Sequence, residues 1–202
     1  MATPEAFARD PDLVYRFYNE RRHYLEDSDV HPNAGHMALA DLANAFTGEL
    51  VLVTQNVDDL HERAGGPAPM HMHGELAQMR CQLSGDVFPA PDYYDRTTPC
   101  PCCEQAGNLR PNVVWFGEMP FYMELIYEHL ERCDLFVAIG TSGTVYPAAG
   151  FVATARQAGA HTLQINPEPT ENGSLFAEHW QGPATTEVPR FRDWLLASKV
   201  HD

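Results

Sequence analysis

The densest chemistry in the sequence is a run of thiols, Cys100-Pro101-Cys102-Cys103, with Cys81 upstream. Cys100-x-x-Cys103 has the spacing of a chelating knuckle, so Cys81, Cys100 and Cys103 could present thiolates to one zinc ion. A second knuckle opening at Cys81 would close on Ser84, a poor zinc ligand. Cys102 or water could stand in, or the site could be weak or partly empty. Two competing readings are reduced, unliganded thiols and a thiol redox motif. Redox motifs usually sit at a helix N-terminus after a strand, whereas the surroundings here are proline-rich and irregular. Cys133, just before an apolar run, reads as a small core residue.

His71-Met72-His73-Gly74 offers two imidazoles with one residue between them. In an extended segment they would point to opposite faces, so only one would face a given site. Gly74 admits another backbone or a ligand at close range, which favours His73 as a general base working near neutral pH. Three polar strips each follow an apolar run: Thr54-Gln55-Asn56-Val57-Asp58, Gly140-Thr141-Ser142-Gly143 and Asn166-Pro167-Glu168. In open parallel sheets, ligands bind beyond the carboxyl ends of strands, so the three strips would converge on a crevice able to hold a nucleotide. Each strip alone could be an ordinary turn. Tyr18 and Arg21 are three apart and share a helix face, where a phenol and a guanidinium can enter one pocket; the plainer reading is a surface arginine beside a core tyrosine.

The elements that must position these groups follow from capping and periodicity. Thr3-Pro4 and Asp10-Pro11 open two helices, each with a capping side chain ahead of a proline suited to the first turn. The second carries Leu13, Val14, Phe17, Tyr18, Tyr24 and Leu25 near helical spacing. A third helix fits residues 34–46, with Gly48 as its stop. Leu50 to Val53, Leu135 to Ile139 and Thr162 to Ile165 are short apolar runs of the kind found in strands covered on both faces. Residues 58–64 read as a helix ending at Gly65-Gly66, and another helix runs from near Pro147 to near Gly159. A buried strand, a helix and another buried strand form a βαβ unit, so the core is expected to be a parallel sheet with helices on both faces. Residues 74–110, rich in cysteine and proline and without a long helix, read as a small inserted module, with the core resuming at Asn112 to Phe116.

The net charge of −15 argues against nucleic acid as a partner, and suits solubility or attraction of basic peptides. No apolar run approaches the ~18 residues of a membrane span. The residues after Met1 show no basic segment followed by an apolar stretch, so no secretory signal is expected. The thiols point to a reducing cytoplasm.

Four strings, Thr54-Gln55-Asn56-Val57-Asp58-Asp59-Leu60-His61, His73-Gly74-Glu75-Leu76, Val114-Trp115-Phe116-Gly117-Glu118 and Gly140-Thr141-Ser142, resemble the ordered motifs of sirtuins, with a cysteine module between the second and third. Each is weak alone; the ordered set is specific, and the similarity covers nearly the whole chain. The resemblance implies a Rossmann-like NAD domain, residues 1–73 and 111–202, plus a small module with one structural zinc, residues 74–110. It implies NAD-dependent removal of acyl groups from protein lysines: the amide oxygen attacks the NAD ribose and displaces nicotinamide, and a base then activates a ribose hydroxyl, giving lysine, nicotinamide and O-acyl-ADP-ribose. His73 would be that base. Gln55, Asn56, Val57 and Asp58 would hold the nicotinamide ribose and carboxamide, Gly140, Thr141 and Ser142 the phosphate and ribose, and Asn166, Pro167 and Glu168 the adenosine, with Ala184 lining the cofactor site. Val114, Phe116 and Gly117 would flank the acyl-lysine.

Tyr18 and Arg21 resemble the subgroup that accepts succinyl- and malonyl-lysine beside acetyl-lysine, because guanidinium binds carboxylate through paired, charge-assisted hydrogen bonds. The expected partners are acyl-lysine peptides or proteins, met by a monomer. The resemblance also implies a first strand and a Gly-Ala-Gly-x-Ser phosphate loop; these residues contain neither, so a gap in the sheet and weakened NAD binding are expected. The competing class is a catalytically dead acyl-lysine reader, separable by nicotinamide release.

Overall fold

The computed structural model describes residues 1–27 and 29–198. In chain order they form α1 (Pro4–Arg9), α2 (Pro11–Asp27), α3 (Ala34–Ala45), β1 (Val53–Thr54), α4 (Leu60–Arg63), β2 (Met70–His71), β3 (Gly74–Cys81), β4 (Val87–Pro89), β5 (Leu109–Val113), α5 (Met123–Leu130), β6 (Leu135–Ile139), α6 (Phe151–Gln157), β7 (His161–Asn166), β8 (Glu178–Gln181) and α7 (Ala184–Ser198). These elements gather into two compact units. The first holds Met1–His31, Val53–Asp59 and Pro69–Tyr122; the second holds Pro32–Leu52, Leu60–Ala68 and the described residues from Met123 onward.

The N-terminal caps are as the sequence suggests. Thr3 Oγ1 accepts the Ala6 N–H at 3.1 Å, and Asp10 Oδ1 accepts that of Leu13 at 3.0 Å. Asn33 Oδ1 accepts the Gly35 and His36 N–H groups, and the His36 ring takes the Asn33 N–H in return, a capping box for α3. That helix stops at Ala45, before Gly48, because Phe46 already has extended backbone.

In the second unit, β6, β7 and β8 form a parallel sheet in that order. Alternate residues serve opposite faces. Leu135, Val137, Ile139, Leu163 and Ile165 pack against Leu42 of α3 and Val188 and Phe191 of α7. Ala138 and Phe136 pack the other way, against Val152 of α6 and Phe176. A strand covered on both faces has no polar side to show, which is why the half-buried run at 135–139 is continuously apolar. The connection from β6 through α6 to β7 is the expected βαβ unit.

The first unit is built around an antiparallel sheet, β4-β3-β5, and the short parallel pair β1-β2. The supposedly irregular segment therefore contains three ladder partners, and Leu109–Val113 joins this sheet. Helix α2 buries Val14, Tyr15 and Tyr18 together with two polar residues, Asn19 and Arg22, while Tyr24 is exposed. Loop carbonyls meet part of this polar pair, while Arg22 Nε and Nη1 are buried without a hydrogen-bond partner among the described residues. Asn19 Nδ2 donates to the Tyr94 oxygen at 2.8 Å, and Arg22 donates to the Asn19 side chain and to the Pro91 and Asp92 oxygens. The expected strand at 50–53 is reduced to Val53–Thr54, and Val51 is exposed. Among the described residues its ladder partner is β2, which offers only Met70 and His71.

Candidate functional site

The strip after β1 is held by main-chain bonds from β2, β3 and the turn between them. The Met72 N–H donates to the Thr54 oxygen at 3.1 Å and the Leu76 N–H to the Val57 oxygen at 2.8 Å. Thr54 Oγ1 accepts the Asn56 N–H at 3.1 Å, which turns the strip at its start. Val57 packs beside Leu76 and Val113, while Gln55 and Asp58 are half-buried and Asn56 is exposed.

The two histidines do not follow the alternation of an extended segment. The chain turns at Met72 and His73 between β2 and β3, and both rings address the same strip: His71 Nδ1 lies 3.2 Å from the Asn56 oxygen, His73 Nδ1 3.1 Å from the Gln55 oxygen. Burial separates them instead. His71 is buried and His73 half-buried. A carbonyl can only accept, so His73 carries its proton on Nδ1 and leaves Nε2 with a free lone pair. Gly74 serves a neighbouring backbone. Its φ is +80° and a Cβ there would stand 2.0 Å from the Asn112 oxygen, so the approach of β5 requires glycine.

That approach ties His73 to the next motif, since the Val114 N–H donates to the His73 oxygen at 2.8 Å. Val114 is half-buried, Phe116 is 72% exposed and Gly117 is exposed with φ +88°. Between them Trp115 is 2% exposed and held on several sides. Its N–H donates to Glu118 Oε2 at 2.8 Å, and its ring lies 3.4 Å under the Arg110 guanidinium. Its indole N–H donates to the Tyr18 hydroxyl at 2.8 Å. Arg110 grips Glu118 through two bonds, of 2.6 and 3.0 Å, with Arg80 at 3.5 Å. Burial alone would raise the Glu118 carboxyl; the bonds from Arg110 and the Trp115 N–H and the charge of Arg80 outweigh it and hold the group below its usual value. No spacing pattern announces this bracing, because its members come from separate strands and a loop.

Tyr18 is 4% exposed. Arg21 is exposed, its guanidinium 5.5 Å from the Phe17 ring, with no carboxylate partner among the described residues. The neighbouring Arg22 is the buried, structural one.

The thiols converge. Sγ atoms of Cys81, Cys100, Cys102 and Cys103 all lie within 4.8 Å of one another. Tetrahedral zinc with Zn–S bonds of about 2.3 Å sets sulfurs roughly 3.8 Å apart, so small rotations would fit the four to one ion. Cys102, only a possible substitute on spacing grounds, thus completes the set, and Ser84 stands beside it with Oγ 3.4 Å from its sulfur. Strand β3 ends on Cys81, whose thiol is lowered to about 6: the Ser84 N–H contributes most, and further hydrogen bonds overcome burial. At Cys102 the Ser84 hydroxyl pulls downward, but hydrogen bonding with Cys100, burial and Cys81 prevail and push it up to about 12. Cys133 lies outside the set, its thiol bonded to the Leu130 oxygen at 3.4 Å.

In the second unit, the carboxyl ends of β6, β7 and β8 carry Gly140 to Ser142, Asn166 to Glu168 and the approach to Ala184. The Gly140 N–H extends the ladder to the Ile165 oxygen at 2.9 Å, and the Gly182 N–H does so to Asn166 at 3.1 Å. Gly140 has φ +63° and a Cβ there would stand in open space, leaving its backbone accessible to a ligand. Asn166 Nδ2 closes a small turn on the Glu168 oxygen at 2.9 Å, and the Gln181 amide donates to Pro167. Two of the three expected strand ends therefore lie side by side in one sheet, whereas the strip at 55–58 belongs to the other unit.

One unit carries a parallel α/β sheet and the other a tetrathiol cluster with a histidine oriented by a polar strip; together these features define a class, and comparison identifies it. The Sir2 family profile matches residues 1–147, and the chain belongs to that family. An Escherichia coli protein named NAD-dependent protein deacylase is 53% identical over 199 residues, covering 97% of this chain and 72% of its own length. A Shewanella oneidensis protein of the same name is 51% identical over 200 residues, covering 99% of this chain and 82% of its own. Among solved structures, a mutant Sir2 homologue in complex with ADP-ribose superposes with TM-score 0.89 at 32% identity, covering 100% of this chain and 80% of that one. A Sir2 homologue–NAD complex gives 0.85 at 34%, covering 96% and 77%.

Proposed function

We propose that the chain is an NAD-dependent protein-lysine deacylase that removes acetyl, succinyl and malonyl groups, with His73 as its base. The observation that carries this reading is the orientation of His73, whose Nδ1 faces the Gln55 oxygen at 3.1 Å and whose Nε2 is left free. Bound NAD supplies an electrophilic ribose carbon and nicotinamide as a leaving group. His73 Nε2 would then take a proton from a ribose hydroxyl, its ring held by the strip and by the main-chain bond to Val114. Gln55, Asn56, Val57 and Asp58 would hold the nicotinamide ribose and carboxamide.

In the second unit, the open backbone at Gly140 with Thr141 and Ser142 suits phosphate and ribose; Asn166, Pro167, Glu168 and Ala184 would address the adenosine side. Val114, Phe116 and Gly117 would flank the acyl-lysine, with Tyr18 and Arg21 receiving a terminal carboxylate. The zinc held by the four thiols would be structural. The proposed division is a Rossmann-like NAD domain, residues 1–73 and 111–202, with a zinc module at 74–110. A monomer acting in the cytoplasm on acyl-lysine peptides, with no role for nucleic acid, fits the charge of −15 and the free thiols. Among the described residues no helix is long and apolar enough to cross a membrane. The deciding experiment is nicotinamide release with acyl-lysine peptides. Release stoichiometric with lysine formation supports the enzyme, whereas peptide binding without release would make the protein an acyl-lysine reader.

A further inference from the structure

Tyr18 has a hydroxyl that is only half used. It is 4% exposed and its oxygen accepts the Trp115 indole N–H at 2.8 Å. An indole nitrogen is a donor only, so the roles in this contact cannot be exchanged. The phenol proton is thereby turned away from Trp115, and it has no acceptor among the described residues. Burial raises the Tyr18 phenol above its ordinary value, against the Trp115 bond and the charges of Arg110 and Arg21, so the proton is retained at neutral pH. A buried donor without an acceptor costs free energy unless a ligand supplies one.

Trp115 is in no position to relax. Arg110 lies over its ring, Glu118 holds its main-chain N–H, and Phe7 packs against it with centroids 5.2 Å apart.

We propose that Trp115 is a positioning residue for acyl-chain selection: by donating into the Tyr18 oxygen it fixes Tyr18 as a hydrogen-bond donor toward the acyl group, favouring chains that end in a carboxylate. The proposal rests on the reading of Tyr18 and Arg21 as the acyl-carboxylate receptor and adds the residue that sets the polarity of that receptor. Acetyl-lysine ends in a methyl group and offers no acceptor beyond the amide oxygen that succinyl-lysine also carries.

The experiment is the ratio of kcat/KM for succinyl- over acetyl-lysine peptides of one sequence, with Kd for both, in the parent, Trp115→Phe, Tyr18→Phe, the double variant and Arg21→Met. Phenylalanine keeps a ring under Arg110 and removes the donor. Trp115→Phe should lower the ratio about fivefold, the worth of one neutral hydrogen bond, through KM and Kd rather than kcat. In the Tyr18→Phe background it should change the ratio no further, since the oxygen it orients is gone. A ratio unchanged by Trp115→Phe, or lowered as much again in the Tyr18→Phe background, overturns the role of Trp115. A ratio also unmoved by Tyr18→Phe and Arg21→Met overturns the carboxylate receptor itself, which separates the two failures. Should Trp115→Phe fold poorly, β-(3-benzothienyl)alanine at this position keeps the bicyclic shape without the N–H, and the same ratio decides.

Discussion

The Nδ1 atom of His73 and the main-chain oxygen of Gln55 are 3.1 Å apart, and this contact leaves Nε2 as the ring nitrogen with a free lone pair. The strip that carries the oxygen is itself pinned by main-chain bonds, so the tautomer is built into the backbone. His73→Tyr should cut deacylation by at least about 100-fold, the usual worth of a general base, with an unchanged melting curve. Near-parent turnover in the folded variant would remove His73 from this role. His71 is buried against the Asn56 oxygen, so His71→Ala should act mainly on stability, lowering the melting temperature more than His73→Tyr does.

The two residues of the proposed acyl receptor differ in their surroundings. Tyr18 is buried and oriented, whereas Arg21 is exposed over Phe17 and unpaired with any described carboxylate. A succinyl carboxylate would be the first charge to meet that guanidinium. Arg21→Met should therefore cost succinyl-lysine about 1.5–3 kcal/mol in kcat/KM, the range of a hydrogen bond to a charged group, and leave acetyl-lysine little changed. Equal losses on both peptides would make Arg21 scaffolding.

What the sequence made legible was local. Thr3 and Asp10 cap helices within three residues of themselves, and the apolar runs of β6 and β7 announce strands covered on both faces. The antiparallel sheet was hidden because its ladder joins Gly74 to Val113 across the cysteine turns. Burial of Asn19 and Arg22 was equally hidden, since the Tyr94 and Pro91 carbonyls that meet them lie 75 and 69 positions away. Trp115 lay inside a recognisable motif, yet its bond to Tyr18 spans 97 positions and no spacing rule reaches that far. Cys102 was visible as a thiol, but its place in the set is a matter of turn geometry.

That geometry makes the metal site testable one residue at a time. Protein purified under reducing, chelator-free conditions should carry about one zinc, and chelation should lower the melting temperature, because a structural metal contributes folding free energy. Cys102→Ser should weaken zinc retention as Cys100→Ala does, whereas Ser84→Ala should leave it unchanged. Loss of zinc in Ser84→Ala with retention in Cys102→Ser would reverse the assignment.

The ion pair of Arg110 and Glu118 gives a pH dependence with a definite sign. Glu118 is held below its ordinary value, so the folded state binds its proton less readily than the unfolded chain does. Its stabilisation is therefore complete above the unfolded value of about 4.3 and is lost as pH falls through the lower folded value. Arg110 is 6% exposed and would lose its partner as the carboxyl protonates, which loosens the Trp115 ring beneath it. Glu118→Gln should make the protein less stable by about 2–4 kcal/mol at neutral pH, the cost of leaving a buried cation unpaired. It should also flatten the fall in stability between about pH 5 and pH 3, because the group that titrates there is gone. The measurement is denaturant unfolding of parent and variant across that range. Parallel acid limbs in the two proteins would mean that this carboxylate does not govern the acid sensitivity of the fold.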